Sequence, residues 1–211
     1  MISRANGRPI LACARRELRV LTADPDAWNW RDAQQVFLLE TVSGAPPKQA
    51  TSVRALWSLT EWRLLFHAED THPWATLTAR DAPLYQEEVV EVFFDPVGDL
   101  EAYFEIEVNP LGAIHDLISR RNRSGYRKDL SWNCEGLRAE VRKTTDAWSV
   151  ELRVPFSSVT SEPPRPGCRW RANFLRIDRP AGKERELSAW SPTRAGTFHV
   201  PERFGIVDFV A

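Results

Sequence analysis

TLTARDAPLYQEEVVEVFFDPVGDLEAYFEIEVNPLGAIHDL, residues Thr76–Leu117, is the stretch on which the reading of this chain turns. Val89–Asp95 is dense in β-branched and aromatic residues and stops at Asp95-Pro96, with Gly98 just beyond. Ala102–Asn109 alternates: Ala102, Phe104, Ile106 and Val108 fall on one side, Tyr103, Glu105, Glu107 and Asn109 on the other. A period of two with one apolar side marks a strand that covers a core. The two runs therefore predict a pair of strands joined by a tight turn. Their other side carries Glu105 and Glu107, with Glu91 across the sheet, beside an aromatic residue. Carboxylates facing one another repel unless a cation or hydrogen-bond donors answer them. Arginine, a metal ion or the hydroxyls of a sugar would each serve.

The same pattern extends outward in both directions. Upstream, Ser52–Leu59 and Glu61–Ala68 alternate about a tight turn and predict a hairpin, preceded by a strand at Gln35–Glu40 and a Gly/Pro loop at Ser43–Gln49. Asp24, Pro25 and Asp26 set up a short helical turn bearing Trp28 and Trp30. Glu69–Pro83 is a long polar loop. Downstream, Ser119–Lys128 (SRRNRSGYRK) reads as a solvated basic loop, and Leu137–Val141 with Ala147–Pro155 as a second hairpin ended by Pro155. Trp170–Ile177 and Phe204–Val210 are further strands, separated by a charged turn at Gly182–Ser188 and a loop at Trp190–Pro201. Short strands, frequent turn signals and hardly any helical periodicity predict one all-β domain: an antiparallel β-sandwich of the jelly-roll kind with long loops. Residues 1–22 are expected to be an extension packing on it, with one short strand at Glu17–Leu21, and residues 23–211 the sandwich.

Composition narrows the function classes. The chain has 211 residues, and nothing in it resembles a linker between two domains. Net charge is −1 with the signs intermixed, so no basic stripe points to nucleic acid. There is no run of 18 apolar residues for a membrane helix, and the apolar run Pro9–Ala14 is too short for a signal peptide, so the expectation is a soluble chain without a leader. Cys13, Cys134 and Cys168 lack CxxC spacing, which predicts free thiols rather than zinc or a disulfide framework. Nine tryptophans are either core filler or flat binding platforms. No GxSxG, HExxH or P-loop occurs, and His67, His72, His115 and His199 are scattered.

Arg80-Asp81-Ala82-Pro83-Leu84-Tyr85, then Glu87 through Asp95, then Tyr103 through Pro110, resembles the middle of a family 9 carbohydrate-binding module. Trp148 through Phe156, Arg171 through Phe174, Ala189-Trp190-Ser191 and Pro201 through Gly205 follow in the family's order, so the resemblance runs from about Asp24 to the C-terminus. It implies an antiparallel β-sandwich of a secreted or periplasmic kind, attached to enzymes of carbohydrate catabolism. It also implies a site that holds a mono- or oligosaccharide end between two aromatic rings, with structural calcium nearby. Tyr85 matches one wall and Phe198 the other, with Trp190 close by. Glu91 matches the acceptor of sugar hydroxyls. Glu107 stands where the family carries an arginine, which Arg80 or Arg176 would have to replace. Asn109 and His199 complete the expected ligand contacts, and Asp70, Asp81, Glu88 and Asp95 are the acids expected to hold calcium.

A sugar ring offers C–H faces to an aromatic ring and hydroxyls to paired acceptors and donors, and these residue types supply both. The bland alternative is that Tyr85 and Phe198 pack loops while Glu91 and Glu107 pair with Arg171 or Arg176. Two other classes compete: a glycoside hydrolase using the acidic cluster, or a heme- or metal-binding relative of the same sandwich. Oligomeric state is not legible in the chain.

Overall fold

The computed structural model describes residues 4–5, 7–17, 20–180, 182 and 184–211. Its strands are β1 (Arg4–Ala5), β2 (Arg8–Arg15), β3 (Gln35–Phe37), β4 (Leu39–Glu40), β5 (Thr51–Trp57), β6 (Glu61–Glu69), β7 (Val89–Asp95) and β8 (Ala102–Val108). They continue as β9 (Ile114–Asn122), β10 (Gly125–Asp129), β11 (Arg138–Lys143), β12 (Ala147–Pro155), β13 (Arg169–Asp178), β14 (Glu186–Ala189) and β15 (Gly205–Val210). The central pair forms as its alternation requires, antiparallel, with Glu91 opposite Glu107 and Phe93 opposite Glu105. Asp95 closes the turn between them. Its carboxylate accepts from the backbone N–H of Val97, Gly98 and Leu100 at 2.7–3.0 Å, and Gly98 takes the positive φ of 80° that the reversal needs.

One continuous run of pairings orders the strands β10-β9-β8-β7-β13-β15-β2-β5-β6-β12-β11. The run folds over so that its halves face each other. Trp62 of β6 meets Phe94 of β7 at 5.4 Å and Trp170 of β13 at 5.6 Å, and Phe66 of β6 meets Phe174 of β13 at 6.0 Å. These rings, with the inward residues of β5, β7, β8 and β12, form the main core. Six tryptophans (Trp30, Trp57, Trp62, Trp148, Trp170 and Trp190) are buried, so most serve as filler rather than platforms. Gly205 is part of that packing: a Cβ there would stand 2.5 Å from the Trp190 ring, a clash that no rigid indole accommodates cheaply.

Several expectations are corrected. The N-terminal stretch does not merely pack on the sandwich. β2 is inserted in it, parallel to β15 and, through Ala14 and Arg15, to β5, so the sheet is not purely antiparallel. Leu11 and Cys13 on β2 are fully buried; small residues and Pro9 hid this strand from an alternation test. In the expected strand Glu17–Leu21, Leu18 and Arg19 lie outside the described residues, and Glu17, Val20 and Leu21 are not in a strand. The basic stretch Ser119–Lys128 is not a loop but most of the β9–β10 hairpin, at the end of the run of strands, where arginine heads reach water while the backbone still pairs. Glu186–Ser188, read as part of a turn, belongs to β14, which pairs with β13 and β4. The three cysteines are free, Cys13 and Cys134 buried and Cys168 exposed. Among the described residues no helix is long and apolar enough to cross a membrane.

Candidate functional site

On the outer face of β13-β7-β8-β9 the register sets side chains in rows. Leu175, Glu91, Glu107 and His115 form one row; Asn173, Phe93, Glu105 and Leu117 form the next. Alternation puts every one of these residues on the side away from the main core. This side is not open. Loops on either flank cover it with Leu84, Phe198 and Phe204, and a second apolar cluster results.

The first flank is the segment before β7. Glu87 grips it from below, accepting from the N–H of Thr76 at 2.8 Å and of Leu77 at 3.1 Å. Asn109 donates to the Leu77 carbonyl at 2.7 Å, and Asp81 N–H donates to Ile114 at 3.0 Å. Leu84 is buried as an anchor, which leaves the next ring, Tyr85, 42% exposed at the rim. The second flank is the segment between β14 and β15. Asn173 and Ser191 exchange two hydrogen bonds of 2.9 Å. Phe198 meets Phe93 edge-on at 6.4 Å, and His199 stacks on Phe93 at 5.2 Å while its Nδ1 lies 2.9 Å from the Tyr103 hydroxyl.

Between the flanks is a cavity of about 380 Å³, lined by Tyr85, Phe198 and His199 as rings and by Glu91, Glu105 and Glu107 as acids. Lys128, Arg185, Thr197 and the apolar Ile177 and Leu187 line it too. The three carboxylates offer oxygens all within 4.8 Å of one another. Lys128 Nζ donates to Glu105 Oε1 at 3.0 Å and sits 5.8 Å from the Tyr85 ring centre. Glu91 Oε1, Glu105 Oε2 and both oxygens of Glu107 are buried with no hydrogen-bond partner outside the three carboxyls among the described residues. Burial first, and then the neighbouring carboxylates, hold Glu91 and Glu107 well above the usual carboxylate range; Lys128, and at Glu91 also Arg185, pulls the other way. Burial holds His199 below the usual imidazole range.

A larger hollow of about 690 Å³ lies elsewhere, lined by Arg54, His67, Asp146 and Ser149 among others. Among the described residues no Trp, Tyr or Phe lines it, and its one ring is the His67 imidazole, engaged with Ser149.

The expected ligand residues divide. Tyr85, Glu91, Glu107, Phe198 and His199 come together at the cavity. Trp190 does not: its ring is turned inward, 5.2 Å from Phe174 and against Gly205. Arg80 does not either, since its Nη2 is committed to Asp116 and its Nε to Asn133. Asn109 is fully buried and folds its own turn, accepting from Leu111 and Ala113 N–H at 3.0 Å. The missed residues are Glu105, which the alternation had already placed beside Glu107, and Lys128 and Arg185, which no local pattern marks.

The four acids expected to hold calcium do not form one site. Asp95 is used by its turn, and Asp81 is exposed beside Arg80. Asp70 and Glu88 do meet, joined by Asp178. The space among them is occupied by Arg176, whose Nη2 lies 2.8 Å from Asp70, 3.0 Å from Glu88 and 3.6 Å from Asp178. A cation there would have to displace a buried guanidinium, so the set does not fit calcium. Burial, aided by the hydrogen bond that the protonated Glu88 donates to Asp70, pushes the Glu88 carboxyl up to about 8 even against Arg176.

Residues 24–211 match the protein family described as carbohydrate family 9 binding domain-like. Several solved structures share the fold, three of which follow. A family 9 carbohydrate-binding module from Caldicellulosiruptor kristjanssonii in complex with cellotriose is 15% identical, with a TM-score of 0.73, covering 96% of this chain and 94% of its own. A protein from Bacteroides uniformis is 17% identical with a TM-score of 0.76, covering 95% and 98%. A Caldicellulosiruptor kristjanssonii family 9 module in complex with glucose is 14% identical with a TM-score of 0.72, covering 95% of each chain. No curated protein sequence matches significantly.

Proposed function

This chain belongs to the carbohydrate family 9 binding domain-like family, and from that premise we propose that its cavity beside Tyr85 holds the end of a saccharide. The protein is a non-catalytic carbohydrate-binding module. The observation that carries the location is the combination of a half-exposed ring with unpartnered carboxylate oxygens in one cavity. Tyr85 offers its face to a pyranose C–H surface, Phe198 and His199 close the opposite side, and Glu91, Glu105 and Glu107 accept from hydroxyls. Two of the proteins sharing the fold are complexed with cellotriose and glucose, which makes short β-glucans the first ligands to try.

Geometry also argues against the glycoside hydrolase alternative. Hydrolysis needs carboxyls on both sides of the scissile bond, about 5–9.5 Å apart, whereas these three lie together on one floor within 4.8 Å. The natural setting of such a module is beside enzymes that break polysaccharides down. Structural calcium is no part of this reading, because Arg176 stands where the best acid set would hold it.

Titration calorimetry of the protein with glucose and cellotriose tests the proposal, with Tyr85→Ala beside the wild type. We expect saturable binding without turnover, weakened about tenfold or more by Tyr85→Ala, and a Tm that changes little because the ring is half in water. A Tyr85→Ala protein that binds as well as wild type would refute the location.

A further inference from the structure

The cavity carries more acid than its neighbours answer. Three carboxylates face it: Glu91 from β7, and Glu105 and Glu107 from β8. The cations that line it are Lys128, from β10, and Arg185, from the segment before β14. Lys128 is engaged with Glu105, and Arg185, exposed, acts on Glu91 only through space. The remaining titratable neighbours do not make up the difference. His199 is held toward its neutral form by burial, Tyr103 is a phenol buried beneath it, and His115, across from Glu107 on β9, has both ring nitrogens unpartnered and makes no ion pair.

Among the described residues four buried carboxylate oxygens therefore have no donor beyond a proton shared between the carboxyls themselves, and both oxygens of Glu107, a side chain 0% exposed that lines the cavity, are among them. Buried acceptors left unmade are costly, and buried charge without a counter-charge costs more. A neutral sugar hydroxyl gives one donor and no charge. An ammonium gives three donors and one positive charge, as the Lys128 head already does at Glu105.

We infer that this cavity selects a saccharide end bearing a protonated amine, an amino sugar, whose ammonium seats among Glu91, Glu105 and Glu107 while its ring stacks on Tyr85. The inference rests on the saccharide-binding reading above and names the class of sugar within it. Without ligand, Glu91 and Glu107 relieve their repulsion by keeping protons, the direction in which both are shifted. An ammonium takes the place of those protons, so its binding releases them. Affinity for the amino sugar then rises from pH 5 toward pH 7, where protons compete less, and falls again once the amine, ordinarily titrating near about 8, loses its own. Glucose has no such dependence through this route.

The test is calorimetry of the full chain with glucosamine, N-acetylglucosamine and glucose and with their β-1,4-linked trimers, at pH 5, 7 and 9, before and after treatment with a chelator. We expect glucosamine ligands to bind about tenfold tighter than the N-acetylated and neutral ones at pH 7. That preference should shrink at pH 5 and pH 9, in Glu107→Gln and in high salt, and should be unchanged by chelation. Equal binding of the three sugars would overturn this inference and leave the saccharide reading standing. Failure of all of them to bind would sink both. Binding that vanishes with chelator and returns with a divalent cation would show a metal, not an amine, to be the missing positive charge.

Discussion

Glu88 and Glu91 stand three residues apart at the start of β7, yet they enter two acid clusters of opposite character. Glu88 meets Asp70 and Asp178 around Arg176, a guanidinium 1% exposed that also donates to Thr51 Oγ1 and the Glu69 carbonyl. Glu91 meets Glu105 and Glu107, where, among the described residues, Lys128 alone of the permanent cations makes an ion pair, from the rim. The first cluster has its cation inside, ion-paired to all three acids. The second has a cavity where the first has an arginine. The difference teaches that a count of carboxylates says little about whether they serve the fold or a ligand. What separates the roles is whether the protein brings its own counter-charge.

That contrast can be broken from either end. The largest effect should come from Arg176→Met, which strands three buried carboxylates. Breaking a buried pair costs about 3–5 kcal/mol, and urea unfolding should show a loss of that size, or no folded protein. Unchanged stability would show that Arg176 and its three acids do not hold the fold together.

Next comes pH. Glu88 has its folded carboxyl pushed up to about 8, and Glu91 and Glu107 are shifted the same way. Each holds a proton in the native state that the unfolded chain releases near pH 4.5. The stability they contribute is therefore complete below that pH and is lost as pH rises toward about 8. Glu40 and Glu87, shifted down, act in the opposite sense but only below about pH 4.5. Tm should fall between pH 5.5 and 8.5, on the order of 5 °C, and Glu88→Gln should flatten the slope. A Tm that climbs over this range would contradict the burial of these acids.

The smallest effect sharpens the other side. Glu107→Gln removes one of three crowded acids that no cation contacts directly, and keeps the shape. Stability by urea unfolding should stay within about 0.5 kcal/mol of wild type or rise. A clear loss would mean that Glu107 has a structural partner after all.

How far the sequence carried this reading depends on the range of each interaction. Alternation along Ala102–Asn109 was enough to put Glu105 and Glu107 on one face, and Gly98 after Asp95-Pro96 was enough to place the turn, since both depend on neighbours in the chain. Asp95 and Asn109 looked like ligands because a carboxylate and an amide in a loop look alike whether they face a ligand or their own backbone. Trp190 looked like a platform because its partner, Gly205, is distant in sequence and has no side chain to announce itself. β2 went unread since its burial comes from being flanked by β15 and β5, which its own pattern does not record.

By itself, then, the chain determined an all-β sandwich, its central strand pair, the family and a face crowded with acid, because backbone geometry and side-chain period act over a few residues. Only the tertiary structure decided which acids Arg176 would neutralise and which would be left around a cavity. Charges pair through space, and Arg176 on β13, Asp70 just past β6 and Lys128 on β10 reach the acids of β7 and β8 only once the sheet is assembled and folded over.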